Sequence, residues 1–591
     1  MPDTKATPAS RRRFLVQTTS TAAALAVSGT LVACGDSSAE PAQFKYGVAS
    51  GDPLASSVIV WTHAKIAGSN SPVGLAWQIA GDNSFATLLQ SGRVNATEAT
   101  DFTAKVDVTG LTAGSSYFYR FVDDAGVVSP TGSTRTLPSS SAASVKLAVF
   151  SCALYSEGYF NTYDAAAKSD AQYAIHLGDY IYEYGADPAK YGNTDAVALG
   201  RVTLPANDIV SLSDYRTRYA LYRADPNLQA LHAKMPMIAV WDDHEFANNA
   251  WVGGAENHNP ATQGDWTTRK NNAAKAYHEW MPIRTPDASN LLKIYRRFDF
   301  GNLLSLHMLD TRIEGRDQQY DNFGDADGGV GRYIAGVTPN ASNVLPDASR
   351  KMVSATQQSW LTSGMAASTA TWQFLGNQDI MARMWFPASV LQAQAAAATN
   401  PAGVSGAISA FLTAKATRAA GAPLTATQTA LLSASTNPRL PYNLDSWDGY
   451  PVQRETILQT AKTQGKKLVA LSGDSHNAWF TNLTTLAGEK VGVEFAGTSV
   501  TSPGFESAGL GALASSLDGS ALGATAVGAG LGLIDDLLYA DTIRRGYLLV
   551  TVTAAAVKGD YVFVSTVKST TYSATVGKTI TVAASGAITY T

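Results

Sequence analysis

From residue 145 onward, short unbroken apolar runs alternate with longer mixed stretches. The runs are VKLAVF (145–150), YAIHL (173–177), MIAVW (237–241), LLSLHML (303–309), WQFLG (372–376), KLVALS (467–472) and VGVEFAG (491–497). Runs of this length without polar alternation suit strands covered on both faces. Most of the separations are long enough for helices, which predicts an α/β domain over residues 145–555. Residues 43–137 follow a different pattern. FKYGVASGDP, SSVIVWTHA, VGLAWQIAG, TAKVDVTGL and SSYFYRFVD are β-branched and aromatic runs between Gly, Ser, Asn and Asp turns, and they predict an all-β sandwich. LPSSSAAS at 137–144 reads as a linker. Residues 388–436 are Ala/Thr/Ser-rich with helical spacing and residues 505–540 are Gly/Ala/Leu-rich; both predict insertions or caps. Strand patterns return in GYLLVTVTA, YVFVSTV and KTITVAA, with 556–591 as a C-terminal β segment.

Composition narrows the class. A chain of 591 residues exceeds one ordinary core, and 45% hydrophobic with only 16% charged residues describes a folded protein. A net charge of −4 and no basic run beyond the N-terminus argue against nucleic acid as a partner. The N-terminus carries Ser10-Arg11-Arg12-Arg13-Phe14-Leu15, then TTSTAAALAVSGTLVA and Cys34. This resembles a twin-arginine export signal, and Leu31-Val32-Ala33-Cys34 resembles a lipobox. The resemblance implies cleavage before Cys34, passage through the twin-arginine machinery, and a periplasmic or cell-surface protein whose membrane contact is a lipid on Cys34. Cleavage without a lipid is the plainer alternative. Of the two cysteines, Cys152 is then left without a disulfide partner. It is either a buried small hydrophobe or a metal-bound thiolate.

The chemistry lies just past the apolar runs. Ser151-Cys152, Asp179, Asp242-Asp243-His244-Glu245, Asn377-Gln378-Asp379 and Asp474-Ser475-His476 each follow the carboxyl end of one, where open α/β sheets bind ligands. An acid at one strand end is more often a turn or cap residue. Four ionisable side chains in succession after MIAVW are costly to bury unless paired or metal-bound. In an extended GDSH segment, Asp474 and His476 point to the same side. Asp179 and Tyr182 in LGDYIYEYG both offer oxygen. A thiolate and a phenolate suit high-valent iron better than zinc, whereas carboxylates and an amide suit calcium or magnesium. Mixed sets of this kind support displacement at phosphorus.

SC at 151–152, HLGDYIYEYG at 176–185, WDDHEFANN at 241–249, LDTR at 309–312, SWDGYP at 446–451, LSGDSHNAWF at 471–480 and EFAGTSVTSPG at 494–504 resemble the PhoD-type alkaline phosphatases, which are calcineurin-like metallophosphoesterases. FKYGVASGDP and VIVWT resemble that family's N-terminal sandwich, and LTAGSSYFYRF resembles the turn-and-tyrosine segment of fibronectin-type sandwiches. The resemblance implies a four-layer α/β/β/α sandwich with Fe(3+) and Ca(2+) at the strand tips. It implies that Cys152, Asp179, Tyr182 and His476 hold the iron. Asp179 would bridge to calcium, shared with Asn248 and Asp474. Asp243 falls where related enzymes place an asparagine ligand, so Asp243, Asn248 or both would touch calcium. His244 would meet the phosphate or the leaving group, and Arg312 and Arg383 are candidate phosphate contacts. The implied activity is hydrolysis of phosphomonoesters, and of diesters, by metal-activated water. A phosphodiesterase or phospholipase-D-type hydrolase is the alternative, and a non-catalytic surface lipoprotein the remote one.

Overall fold

The computed structural model describes residues 40–320 and 349–591, apart from 141, 398, 399, 524, 525 and 527. The export signal, the lipobox and Cys34 lie outside the described residues.

Two large sheets carry the α/β part. The first has ten strands, in the order Ile588–Tyr590, Ala574–Ala583, Ala556–Val564, Arg545–Val552, Val145–Phe150, Tyr173–His176, Met237–Ala239, Val48–Gly51, Ser57–His63 and Thr103–Thr109. Its centre is parallel, with Leu147 opposite Tyr173 and Ile175 opposite Ile238. The second has seven strands, Arg296–Phe300, Leu304–Met308, Trp372–Gly376, Lys467–Ser472, Lys490–Ala496, Ala478–Thr484 and Leu537–Asp541. Its four middle partners, from Leu304–Met308 to Lys490–Ala496, are also parallel. Leu147, Leu548 and Val550 of the first sheet and Phe374, Leu471 and Phe480 of the second share one buried core, so the sheets face each other.

Helices close both outer faces. Leu212–Arg223, Pro226–Lys234 and Trp266–Trp280 bring Tyr219, Leu231 and Tyr277 into the core of the first sheet. Ala355–Ala367 and Pro451–Thr463 set Leu361, Met365, Ile457 and Leu458 against Leu375 and Leu468 of the second. Local sequence fixes where these helices start. Ser211 and Asp214 form a reciprocal capping box, and Asp225 caps a helix whose first residue is Pro226. The result is the expected α/β/β/α sandwich.

The N-terminal segment forms a β-sandwich. Val58, Val60 and Val108 on one side pack against Leu75, Ile79, Tyr119 and Phe121 of the four-stranded sheet Leu88–Ala96, Val73–Ala80, Ser116–Asp123 and Gly132–Arg135. The Tyr117 hydroxyl accepts from the Thr112 N–H at 2.8 Å, the tyrosine-corner bond of such sandwiches. The sandwich does not stand apart: Gly51 pairs with Met237, and this joins three of its strands to the ten-stranded sheet. The segment 556–591 likewise continues that sheet. Arg545–Val552 pairs antiparallel with Val145–Phe150, and the following strands extend it outward. Without them the central strand Val145–Phe150 would be an open edge. Residues 388–436 hold the helices Ala388–Ala395, Pro401–Ala419 and Ala426–Leu432. No described helix is long and apolar enough to cross a membrane.

Candidate metal centre

The site is built by loops leaving the parallel strands of both sheets at their carboxyl ends. Several of its residues have unusual backbone conformations. Cys152, Asp179, Asp474 and His476 have φ of 61°, 54°, 54° and 60°, and Asn249 has 52°. Non-glycine residues rarely adopt this region, and such strain concentrates at functional sites. The glycines before two of the acids allow close approach. A Cβ on Gly178 would lie 2.3 Å from Asp242 Cβ, and one on Gly473 would lie 2.6 Å from Ser151 Oγ.

Cys152, Asp179 and His476 come together: ligand atoms of the three lie within 4.8 Å of one another. Tyr182 joins them, its hydroxyl 2.9 Å from Asp179 Oδ2 and 3.2 Å from His476 Nε2. His476 Nδ1 donates to the Pro503 carbonyl at 2.7 Å. This fixes the ring and leaves Nε2 facing the group. Ser502 Oγ bonds the Tyr182 hydroxyl at 2.7 Å and the Cys152 carbonyl at 2.9 Å. The TSPG loop therefore braces both residues. Burial, followed by the nearby carboxylates, pushes the Cys152 thiol well above its ordinary range, and the Tyr182 phenol likewise. Burial also pushes the Asp179 carboxyl well up, with His244 opposing and Asp243 adding. Burial lowers His476 to about 3 and so keeps its lone pair. Three acids resist ionisation beside a neutral imidazole. Such a group is short of positive charge, and a bound cation would supply it.

A second group shares Asp179. Ligand atoms of Asp179, Asp243 and His244 lie within 4.8 Å of one another, as do those of Asp242, Asp243 and Asp474. Burial raises the Asp474 carboxyl to about 8 against the pull of Arg312. His244 Nδ1 meets Glu183 Oε2 at 2.6 Å, and its ring lies 4.1 Å from that of Tyr182. Burial alone would lower the His244 pKa; the neighbouring carboxylates, Asp243 first and then Glu183 and Asp179, outweigh it and raise it well above its ordinary value. Glu245 ties two loops by accepting from the N–H groups of Asp179, Tyr180, Ile181 and Asp242.

Three candidates have their side chains engaged by protein partners. Asn248 turns its side chain to the Tyr184 hydroxyl at 3.3 Å and to Glu256 at 3.3 Å. Arg312 is fully buried and engaged by carboxylates, with no surface left for a phosphate. Arg383 pairs with Asp536 at 3.0 Å and Thr484 at 2.6 Å, at the edge of the second sheet. Glu183 and Asp445 carry contacts that the sequence did not single out. Glu183 had a faint signal, an acid four residues past Asp179. Asp445 had none beyond its place before SWDGYP.

Two facing sheets with sulfur, imidazole, phenol and carboxylates gathered at their shared tips define a phosphoester hydrolase of the two-sheet sandwich class. The chain belongs to the PhoD-like phosphatase family. The model for "PhoD-like phosphatase" matches residues 147–561, and that for "PhoD-like phosphatase, N-terminal domain" matches residues 29–138. Alkaline phosphatase D of Bacillus subtilis (strain 168) is 32% identical over 478 residues, 78% of this chain and 70% of that protein. The solved structure of PhoD superposes with a TM-score of 0.71 at 28% identity, covering 94% of this chain and 93% of that one. The protein is thus a phosphoric ester hydrolase.

Proposed function

We propose that the protein is an exported, metal-dependent phosphatase that releases inorganic phosphate from phosphomonoesters. The observation that carries this reading is the convergence of Cys152, Asp179, Tyr182 and His476 into one buried, charge-deficient group. This donor set fits Fe(3+). Asp179, Asp243 and Asp474 offer the oxygens that fit Ca(2+), and the Asn248 amide would complete the set after turning from Glu256. Bound cations would acidify a water and neutralise charge on the phosphoryl oxygens.

The chain's own residues do the remainder. Asp179 faces both groups and fixes their separation. Glu183 orients His244 through Nδ1, and His244 Nε2 has no protein partner among the described residues. As an imidazolium, His244 presents that N–H to the departing oxygen and protonates it. Tyr182 and Tyr184 pack against the His244 ring and hold its plane. The Arg11-Arg12 pair and Cys34 support export by the twin-arginine route and lipid anchoring at the cell surface or in the periplasm.

Turnover on p-nitrophenyl phosphate and on bis(p-nitrophenyl) phosphate tests the ester class. A larger kcat/KM on the monoester is expected, and a strong preference for the diester would make the protein a phosphodiesterase. Replacement of Arg11 and Arg12 by lysine should strand the precursor inside the cell; unchanged export would remove the twin-arginine assignment.

A further inference from the structure

Arg312 follows the strand Leu304–Met308, and its guanidinium sits beneath the site. Nε is 2.5 Å from Asp242 Oδ1 and Nη1 is 2.7 Å from Asp445 Oδ2. Nη2 lies 2.9 Å from Asp379 Oδ1, 3.2 Å from Asp474 Oδ1 and 4.0 Å from Asp243 Oδ1. Asp242 and Asp243 follow a strand of the first sheet, whereas Asp379 and Asp474 follow strands of the second. One planar cation thus cross-links the tips of both sheets. It reaches the same Asp474 and Asp243 that face the candidate metal groups. A second buried guanidinium, Arg316, shares Asp445 and lies 3.5 Å from Asp379.

Charge decides what this arrangement does. Asp242, Asp379, Asp445 and Asp474 surround two guanidinium groups. Ligand atoms of Asp379, Asp445 and Asp474 lie within 4.8 Å of one another. Buried carboxylates this close need a counter-charge, and without Arg312 only Arg316 would remain. The guanidinium fork matches carboxylates in a fixed plane, which an ammonium cannot reproduce.

We infer that Arg312 is a positioning residue: a resident counter-cation that aims Asp474 at the metal centre and keeps a further hard cation out of the carboxylate floor beneath it. Substrate does not touch it. The inference rests on reading the site as a metal centre.

The test is equilibrium dialysis of the purified full chain against calcium chloride, followed by elemental analysis and thermal unfolding with and without calcium. R312Q should bind about one more calcium ion per chain than the wild type, and its unfolding midpoint should climb more steeply with calcium. R312K keeps a cation in the floor. It should retain the wild-type calcium count while losing roughly tenfold in kcat, because Asp474 is less firmly held. R312K also guards against an R312Q chain that fails to fold, since a gain of calcium in R312K overturns the inference by itself. A soluble R312Q with the wild-type count and a calcium-independent midpoint overturns it too. A wild type that binds no metal would instead sink the metal-centre reading, so the two failures are distinguishable.

Discussion

His244 and Glu183 are joined by a 2.6 Å hydrogen bond, Nδ1 to Oε2, with the glutamate fully buried. Glu183 also accepts from the Asn248 N–H and the Asn257 side-chain amide, both at 2.8 Å, so the carboxylate is held from three directions. That rigidity fixes which edge of the imidazole faces the reaction.

E183Q keeps the shape and removes the charge. It should lower kcat about 10- to 100-fold with little change in KM. Glu183 is one of the groups holding the His244 pKa up, so its loss moves deprotonation of the ring to lower pH. The alkaline limb of the kcat profile should shift downward. An E183Q enzyme with the wild-type profile would remove His244 from the role of proton donor.

Cys152 supplies the sulfur of the group proposed to hold iron, and it is fully buried and free of any disulfide. C152S should bleach any visible sulfur-to-metal absorption band and lower iron content relative to calcium. A C152S protein with unchanged spectrum and iron content would show that the thiol only packs.

His278 is one of several buried histidines that make stability fall in acid. Its Nε2 faces the Leu291 carbonyl at 2.9 Å and its Nδ1 faces Thr285 Oγ1 at 3.1 Å, a pattern that one neutral tautomer satisfies. Burial, with Lys105 next, lowers its pKa from 6.5 to about 3. Between those values the unfolded chain holds a proton that the folded chain refuses, so stability is lost as pH falls through the window. Urea unfolding of wild type should weaken faster than that of H278Q from pH 6.5 toward 4, by up to about 1.4 kcal/mol per pH unit. Parallel curves would contradict the assignment.

Gly178 has φ of 112°, and its added Cβ would meet the backbone nitrogen of Asp242 at 2.4 Å. G178A should therefore destabilise by about 2–3 kcal/mol and separate Asp179 from Asp242, lowering metal content as well. A G178A protein with the wild-type urea midpoint would mean that this contact relaxes freely.

The parallel strands were legible because each is an unbroken apolar run, and the site was legible because its acids follow those runs directly. Leu88–Ala96 was missed: its LLQSGRVNA is half exposed, and Gly92 interrupts the β pattern. Ala478–Thr484 was missed because it begins two residues after His476 and lies antiparallel between its neighbours. The junction between sandwich and α/β sheet rests on Met237 meeting Gly51, a pairing across most of 200 residues that no local pattern encodes. Asp445 reaches the site floor from a loop remote in sequence, and Arg312 could not be told from a surface arginine without its burial. Local sequence shows which side chains end a strand, whereas the depth at which each comes to rest depends on how the two sheets meet.

Asp179 is common to the Cys152–His476 group and the Asp243–His244 group, where it would serve both proposed cations. Elemental analysis of the exported protein, beside D179A purified in parallel, measures whether it does. Iron and calcium are expected in the wild type, with loss of both from D179A and a fall in phosphatase turnover of about 1000-fold or more. A folded D179A protein that retains its iron and its turnover would contradict this shared role.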